Sequence, residues 1–363
     1  MGQGSRLKAD KLRAARAAQR RAARAASDLA AAPGLTFLQR NKVRGPTQKA
    51  FDRRLGDFLA WAGARELEEL STGRLDALLA DYLDRLYWDG ELVGAASSLL
   101  AAIHHWRPCL GKARHGALPQ ARTALAGFRA RTHSHSLAPL GRPWVLCVIG
   151  LALLEADLEF AGATWLAWDA CLRLPSDLLS LTGAALVGPG RAALPQWALL
   201  LYPDELARAS KTRGHDEGVM LLDEVWKSGG SAFLERIKKR APGPKKLWRF
   251  GAQQYVARFL DLLHRVPEAP PCIPYQVRHG SASHASAIDG MDLVTLQHRL
   301  RHTTTTSTLR YSKHVRYLAE LEKVPPEVEQ WGEYVRVHLG EVLAGRGALH
   351  APRWTRTKTA SWC

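Results

Sequence analysis

The stretch from Thr132 to Pro143 divides this chain. It is rich in Pro, Gly, His and Ser and has no apolar periodicity, so it offers neither a helix stripe nor a strand to bury. At 363 residues the chain is long for one compact core, and the break leaves two stretches, each able to bury an interior. The expected organisation is a basic arm over 1–34, a helical domain over 35–131, a linker over 132–143, a second domain over 144–345 and a basic tail over 346–363.

The first stretch reads as helices. Phe51, Leu55, Phe58, Leu59 and Ala62 recur at spacings of three and four, with Thr47 placed to cap. Leu75, Leu78, Leu79, Tyr82, Leu83 and Leu86 form a second stripe, with Gly90 just beyond its end, and Leu99, Leu100, Ile103 and Trp106 form a third. These are core faces. The opposite faces and joints carry Lys42, Arg44, Lys49, Arg53 and Arg54, and later Lys112, Arg114 and Arg122, which gives the bundle one basic side. Beyond the break the chain is mostly helical, with one sheet region over 186–222 where short apolar runs alternate with Gly, Pro and charged residues. The fold class is mainly α with a small β-sheet: a helical domain followed by a mixed, mostly α one. The tail past Arg346 reads as polar and poorly ordered.

Charge narrows the partners. Fifty-one Lys and Arg stand against thirty-four Asp and Glu, a net +17. Such a surplus draws polyanions, because neutralising phosphates releases condensed counterions. Nucleic acid is the expected partner, and an Arg- and Ala-rich composition is the competing explanation. Residues 1–26 carry eight basic residues against the single acid Asp10, which suits an arm that orders on DNA, a targeting segment or a solubilising tail. The five cysteines are scattered and never form a C-x-x-C pair, which argues against a disulfide framework or a zinc site. His104 with His105, and His133 with His135, lack an acid or cysteine to complete a ligand set. The longest apolar run, Trp144 to Leu154, is too short to cross a bilayer, and no apolar signal core precedes it. The expectation is a soluble, intracellular protein that works without cofactor or metal and has no membrane partner.

Two segments carry chemistry: Pro274-Tyr-Gln-Val-Arg-His-Gly280 and Leu300-Arg-His-Thr-Thr-Thr-Thr-Ser-Thr-Leu-Arg-Tyr311. Breaking a phosphodiester without a metal needs a nucleophile, cations for the non-bridging oxygens and an acid for the departing oxygen. Arg suits the second task, since its planar fork binds two phosphate oxygens and keeps its charge. A Tyr phenol suits the first, giving a covalent ester that preserves bond energy for rejoining.

These segments resemble the C-terminal signature of the tyrosine recombinase (phage integrase) family, which has His-x-x-Arg, then Leu-Gly-His, then a nucleophilic Tyr. Arg278 to His302 is twenty-four residues and His302 to Tyr311 is nine, in register with that signature. Upstream, Cys171-Leu-Arg-Leu-Pro-Ser-Asp-Leu-Leu-Ser-Leu181 resembles the segment of the family's first arginine, placing Arg173 there. Ser210-Lys-Thr-Arg-Gly214 resembles the β-hairpin that holds its catalytic lysine, placing Lys211, with Lys238 and Lys239 as competitors. The resemblance spans roughly residues 36–320.

It implies a helical core-binding domain and a catalytic domain clamped on double-stranded DNA. Tyr311 would form a 3′-phosphotyrosyl link while Arg173 and Arg278 hold the phosphate. Lys211 would protonate the leaving oxygen, and His302 and Tyr275 would complete the cradle. Lys42, Arg44, Lys49, Arg53 and Arg54 would contact DNA. A homotetramer on paired sites is implied, with the segment from Ala319 to Leu343 either exchanged between neighbours or packed on its own domain. Three positions depart from the pattern. Tyr275 stands where the family has His, Arg301 stands where it has Gly, and Ser176 and Asp177 replace an acid three residues after Arg173. Tyr317 is a rival nucleophile. A decayed DNA-binding relative and a type IB topoisomerase-like enzyme are the competing functions.

Overall fold

In the computed structural model the chain divides into two compact units, residues 1–135 and 136–363. The structure describes residues 36, 39, 41–43, 45–110, 117–132, 137–174, 176–190, 196–202 and 217–354.

The first unit is a helical bundle of α1 (Gly45–Ala62), α2 (Thr72–Trp88), α3 (Val93–Trp106) and α4 (Pro119–Arg131). The expected stripes face its core: Leu75, Leu79, Leu83 and Leu86 of α2 are buried with Leu99, Leu100 and Ile103 of α3, and Phe58 lies edge-on to Tyr82. Ser71 caps α2 by accepting from the Arg74 N–H, and Gly90 ends it at φ 77°, a left-handed turn that costs a glycine little. Thr47 does not cap α1. The helix starts two residues earlier, because Pro46 in its first turn needs no hydrogen-bonded N–H. The cap of α4 comes from a neighbouring helix: Asp76 of α2, 3% exposed, accepts from the Gln120 and Ala121 N–H groups at 3.0 and 2.9 Å.

The second unit is built on α5 (Arg142–Leu154), in which every residue from Trp144 to Leu153 is buried. Against it pack α6 (Leu158–Asp169), α8 (Ala252–His264) and α13 (Pro326–Ala344). Between α6 and α8 come a three-stranded antiparallel sheet and α7 (Gly230–Arg240). The sheet comprises β1 (Leu186–Val187), β2 (Ala198–Leu201) and β3 (Glu217–Met220), with Leu186 opposite Leu199 and Leu201 opposite Glu217. It falls in the region the sequence marks. Four helices complete the unit: α9 (Tyr275–Ala287), α10 (Leu293–Leu300), α11 (Thr305–Leu309) and α12 (His314–Leu321).

Two expectations are corrected here. The linker over 132–143 is too long, because Leu140 is buried, its N–H donates to the Gln276 carbonyl at 3.4 Å, and α5 begins at Arg142. The tail expected to be poorly ordered is ordered as far as it is described, to Trp354, and packs onto α13: Trp331 donates to the His350 carbonyl and lies edge-on to Trp354. The segment from Ala319 to Leu343 breaks at Pro325, and Val328, Trp331, Val335 and Leu339 are buried against the chain's own core. In this single chain the segment packs on its own domain. No described helix is long and apolar enough to cross a membrane.

Candidate active site

The site is organised by α9, a helix buried almost all round although its residues are largely polar. Every residue from Gln276 to Ala285 is buried. Burying polar groups is tolerated only where each finds a partner, and here the partners are the segments that carry the other candidate residues. Gln276 donates to the Ala138 carbonyl at 2.9 Å, Ser281 bonds the Trp168 carbonyl and Cys171, and Ser283 donates to the Tyr311 carbonyl at 2.7 Å. Gly280 is required for this close approach. A Cβ there would stand 2.0 Å from the Leu140 carbonyl oxygen.

Arg278 is 1% exposed and donates to the Cys171 carbonyl, to the Leu300 carbonyl at 2.7 Å and to His302 Nε2 at 3.2 Å. Burial, helped by Arg301 and Arg173, pulls its pKa down to about 10, which leaves it charged at neutral pH. Arg173, 9% exposed, sits in the turn after α6, and its Nη2 donates to the Arg301 carbonyl at 3.4 Å. That turn is reached through Cys171 at φ 47°. Asp177 lies among the guanidiniums with no exposure at all. It accepts from the Arg173 backbone N–H at 3.0 Å, from Arg301 at 2.8 Å and from the Tyr202 hydroxyl at 2.9 Å. Burial works to raise its pKa, but Arg301 and then the Arg173 N–H hold it below the ordinary carboxylate value. Three donors in this cluster have no hydrogen-bond acceptor although all are buried: Arg173 Nη1, Arg278 Nε and Arg301 Nε.

Tyr311 follows α11, whose first turn is capped by Thr304. Its ring stacks on His279, with centroids 4.2 Å apart and planes 9° off parallel. The Arg278 guanidinium stands 5.3 Å from the same ring and His302 4.9 Å. Its hydroxyl meets the Tyr275 hydroxyl in a short hydrogen bond. His302 is bonded on both sides, to Arg278 at Nε2 and to Thr308 Oγ1 at Nδ1, 3.2 Å. Since Arg278 can only donate, the bonds assign an accepting Nε2 and a protonated Nδ1. Burial and the three arginines push the His302 pKa down to about 4, and burial with Lys313 and Arg278 does the same for His279. Burial and the bond to Tyr311 push Tyr275 up to about 12. The groups around Tyr311 are thus neutral apart from the arginines, and none is a base of ordinary strength near pH 7.

The arrangement can hold a tetrahedral oxyanion at buried guanidiniums, one of which lies 5.3 Å from the Tyr311 ring. It brings together Arg278, His302, Tyr275 and Tyr311, with Arg173 joined through Arg301. Lys211 and Arg44 lie outside the described residues, as do Lys112 and Arg114. Tyr317 is no rival nucleophile: it is fully buried, and its hydroxyl accepts from the Arg142 N–H at 3.2 Å and bonds His284 Nδ1. In the first unit Lys49 and Arg53 are exposed four residues apart on α1, Lys42 is exposed in the preceding turn, and Arg54 is half-buried 3.5 Å from Glu91. Sequence reasoning missed Ser283 and Thr308, and it treated Asp177 and Arg301 only as departures. The available signal was the run Arg278 to Ala287, too polar for a core helix yet set among apolar segments. Among the described residues no group of three or more His, Cys, Asp or Glu side chains is placed to hold a metal ion.

No family model matches the sequence, and no curated protein matches it. Solved structures do. The Tn1549 transposon integrase in complex with transposon right end DNA superposes with a TM-score of 0.55 at 17% identity, over 79% of this chain and 98% of that one. The same integrase with circular intermediate DNA gives 0.53 at 17% identity, over 79% and 96%. At that identity the likeness is one of fold. The chain has the tyrosine-recombinase fold that its sequence signature implies.

Proposed function

We propose that this chain is a site-specific DNA recombinase or integrase that cuts and rejoins double-stranded DNA through Tyr311. The observation that carries the reading is the group of buried guanidiniums with unmatched N–H groups, Arg173 Nη1, Arg278 Nε and Arg301 Nε, with Arg278 5.3 Å from the Tyr311 ring and bonded to His302. Buried cationic N–H groups without acceptors mark a place where an anion completes the structure. The solved structures of like fold support the partner, since both Tn1549 integrase structures are DNA complexes.

In the proposed reaction the Tyr311 oxygen attacks the scissile phosphorus, forming a 3′-phosphotyrosyl link and breaking the bond to the 5′ oxygen. Arg173 and Arg278 take the charge on the non-bridging oxygens. His302, neutral in the free site, holds Arg278 in place, and an arriving phosphate favours its charged, donating form. Tyr275 orients the nucleophile, because its hydroxyl already bonds that of Tyr311. Lys211 is assigned the proton for the leaving 5′-hydroxyl on the sequence resemblance alone. Lys42, Arg44, Lys49, Arg53 and Arg54 are assigned to the phosphate backbone, with a homotetramer as the working assembly inside the cell.

Tyr275 favours a second reading. A phenol at about 12 cannot take the nucleophile's proton at neutral pH as an imidazole can, which suits a relative that binds DNA without cutting it. One experiment tests both: incubate the protein with nicked suicide duplexes from DNA flanking its reading frame and look for a covalent adduct. An adduct lost in Tyr311→Phe supports the recombinase. Salt-sensitive binding with no adduct on any duplex supports the non-cutting relative, and relaxation of supercoiled DNA regardless of sequence points to topoisomerase activity.

A further inference from the structure

The turn after α10 puts an arginine where the backbone favours glycine. Arg301 has φ 55°, the left-handed region, which is strained for a residue that bears a side chain. Its guanidinium does not reach solvent. It donates to the Arg299 carbonyl at 2.8 Å, the Ala170 carbonyl at 3.3 Å, the Cys171 carbonyl at 3.1 Å and Asp177 Oδ2 at 2.8 Å. These bonds offset the strain and tie the His302 turn to the segment that carries Arg173.

The distances around Asp177 give this arginine a second consequence. Asp177 Oδ2 lies 2.8 Å from Arg301, but 3.6 Å from Arg173 Nη1 and 4.0 Å from Arg278 Nη1. A second carboxylate, Glu217, stands 3.8 Å from Arg301 Nε. Both acids of the cluster therefore sit against Arg301. Arg301 Nε has no hydrogen-bond acceptor either, but only Arg301 is hydrogen-bonded to the Asp177 carboxylate through its guanidinium, and Arg173 Nη1 and Arg278 Nε stay unmatched.

We propose that Arg301 is a positioning residue that draws Asp177 onto itself and so keeps Arg173 and Arg278 open to a tetrahedral oxyanion of the phosphate class. This rests on the phosphate-site reading given above. Without Arg301, the cations left within 4.0 Å of the Asp177 carboxylate are Arg173 and Arg278, beside its hydrogen bonds from Tyr202, Ser176 and the Arg173 N–H. Pairing with them cancels positive charge and occupies the donors that a phosphate needs.

The test titrates the full-length protein with tungstate, a tetrahedral dianion, by calorimetry, taking the binding lost in Arg173→Ala as the signal from this site. Arg301→Gly suits the backbone and is expected to weaken that binding about tenfold, the order expected for losing one neighbouring charge at the edge of a protein interior. Asp177→Asn added to Arg301→Gly is expected to recover most of the loss. A purely structural role predicts the reverse, because the second change removes further hydrogen bonds. Arg301→Lys, which keeps a cation against Asp177 and loses the fork, is expected to stay within about threefold of wild type. Wild-type affinity in Arg301→Gly overturns the proposal and leaves the phosphate site standing, as does a folded double variant that stays weak. Where Arg301→Gly does not fold, a tenfold loss in Arg301→Lys overturns it. If wild type binds no more tungstate than Arg173→Ala, the phosphate site itself falls and this proposal with it.

Discussion

Two buried helices of the second unit, α5 and α9, solve the same problem by opposite means. In α5 every residue from Trp144 to Leu153 is buried and apolar or nearly so, among Trp165, Phe160, Tyr255, Val335 and Leu339. The hydrophobic effect holds it, and its contacts are non-directional. In α9 the buried run from Gln276 to Ala285 includes Arg278, His279, Ser281, Ser283 and His284, and each turn is tied to a particular carbonyl or hydroxyl. One helix supplies stability. The other supplies direction, because a hydrogen bond fixes an angle as well as a distance. The candidate chemistry is hung on the second kind.

The comparison predicts where substitutions act. The largest effect is expected at Tyr311, whose carbonyl Ser283 of α9 anchors. Tyr311→Phe leaves no oxygen to attack phosphorus, so the covalent adduct on a suicide duplex must vanish while melting changes little. An adduct that persists assigns the nucleophile elsewhere, though not to Tyr317, which is buried and bonded at its hydroxyl.

Next comes Arg278→Lys. It keeps a cation but loses the fork that reaches the carbonyls of Cys171 and Leu300 and also His302. Cleavage is expected to fall roughly 10²–10³-fold, the range for losing one preorganised donor to a developing charge, with DNA affinity largely kept. Single-turnover rates beside binding isotherms check this, and near wild-type cleavage would remove Arg278 from the phosphate.

In α5, Ile149→Val trims one methylene from a residue with no exposure. It is expected to lower unfolding free energy by about 1 kcal/mol in urea melts and leave the cleavage rate of the folded protein unchanged. A rate change here would mean that the two helices do not divide the work.

The gentlest test is pH. His279, His284 and His302 are all held near 4, in each case first by burial, against about 6.5 in an unfolded chain. The unfolded state binds more protons between those values. Their stabilising contribution is therefore complete above pH 6.5 and lost as pH falls from 6.5 through about 4. Urea midpoints should drop over that window, and more shallowly in His284→Gln. A flat profile would show that the polar helix is not sealed from water.

Much of the fold was legible because its signals are local. The stripes of α2 and α3 repeat with the helical period, and Gly90 ends α2 as its left-handed geometry requires. The sheet declares itself by short apolar runs between turn residues. Thr47 misled because a favourable cap residue competes with Pro46, and the proline extended the helix past it. The residues from Leu137 to Gly141 looked like linker because what holds them, Gln276 of α9, is more than a hundred residues away.

The candidate site divides along the same line. The order and spacing of Arg173, Arg278, His302 and Tyr311 lie in the sequence, since residue type and interval are one-dimensional facts. So does the replacement of His by Tyr275. Only the tertiary structure decided what each group meets: that Tyr275 bonds the Tyr311 hydroxyl, that Ser283 and Thr308 hold Tyr311 and His302, and that Asp177 turns toward Arg301. The physical reason is that hydrogen bonds and ion pairs depend on distances of a few ångströms, and all of these but the His302–Thr308 bond join residues 28 to 124 positions apart along the chain. No local pattern encodes such a distance. It exists only once a buried helix has brought those segments to a common place.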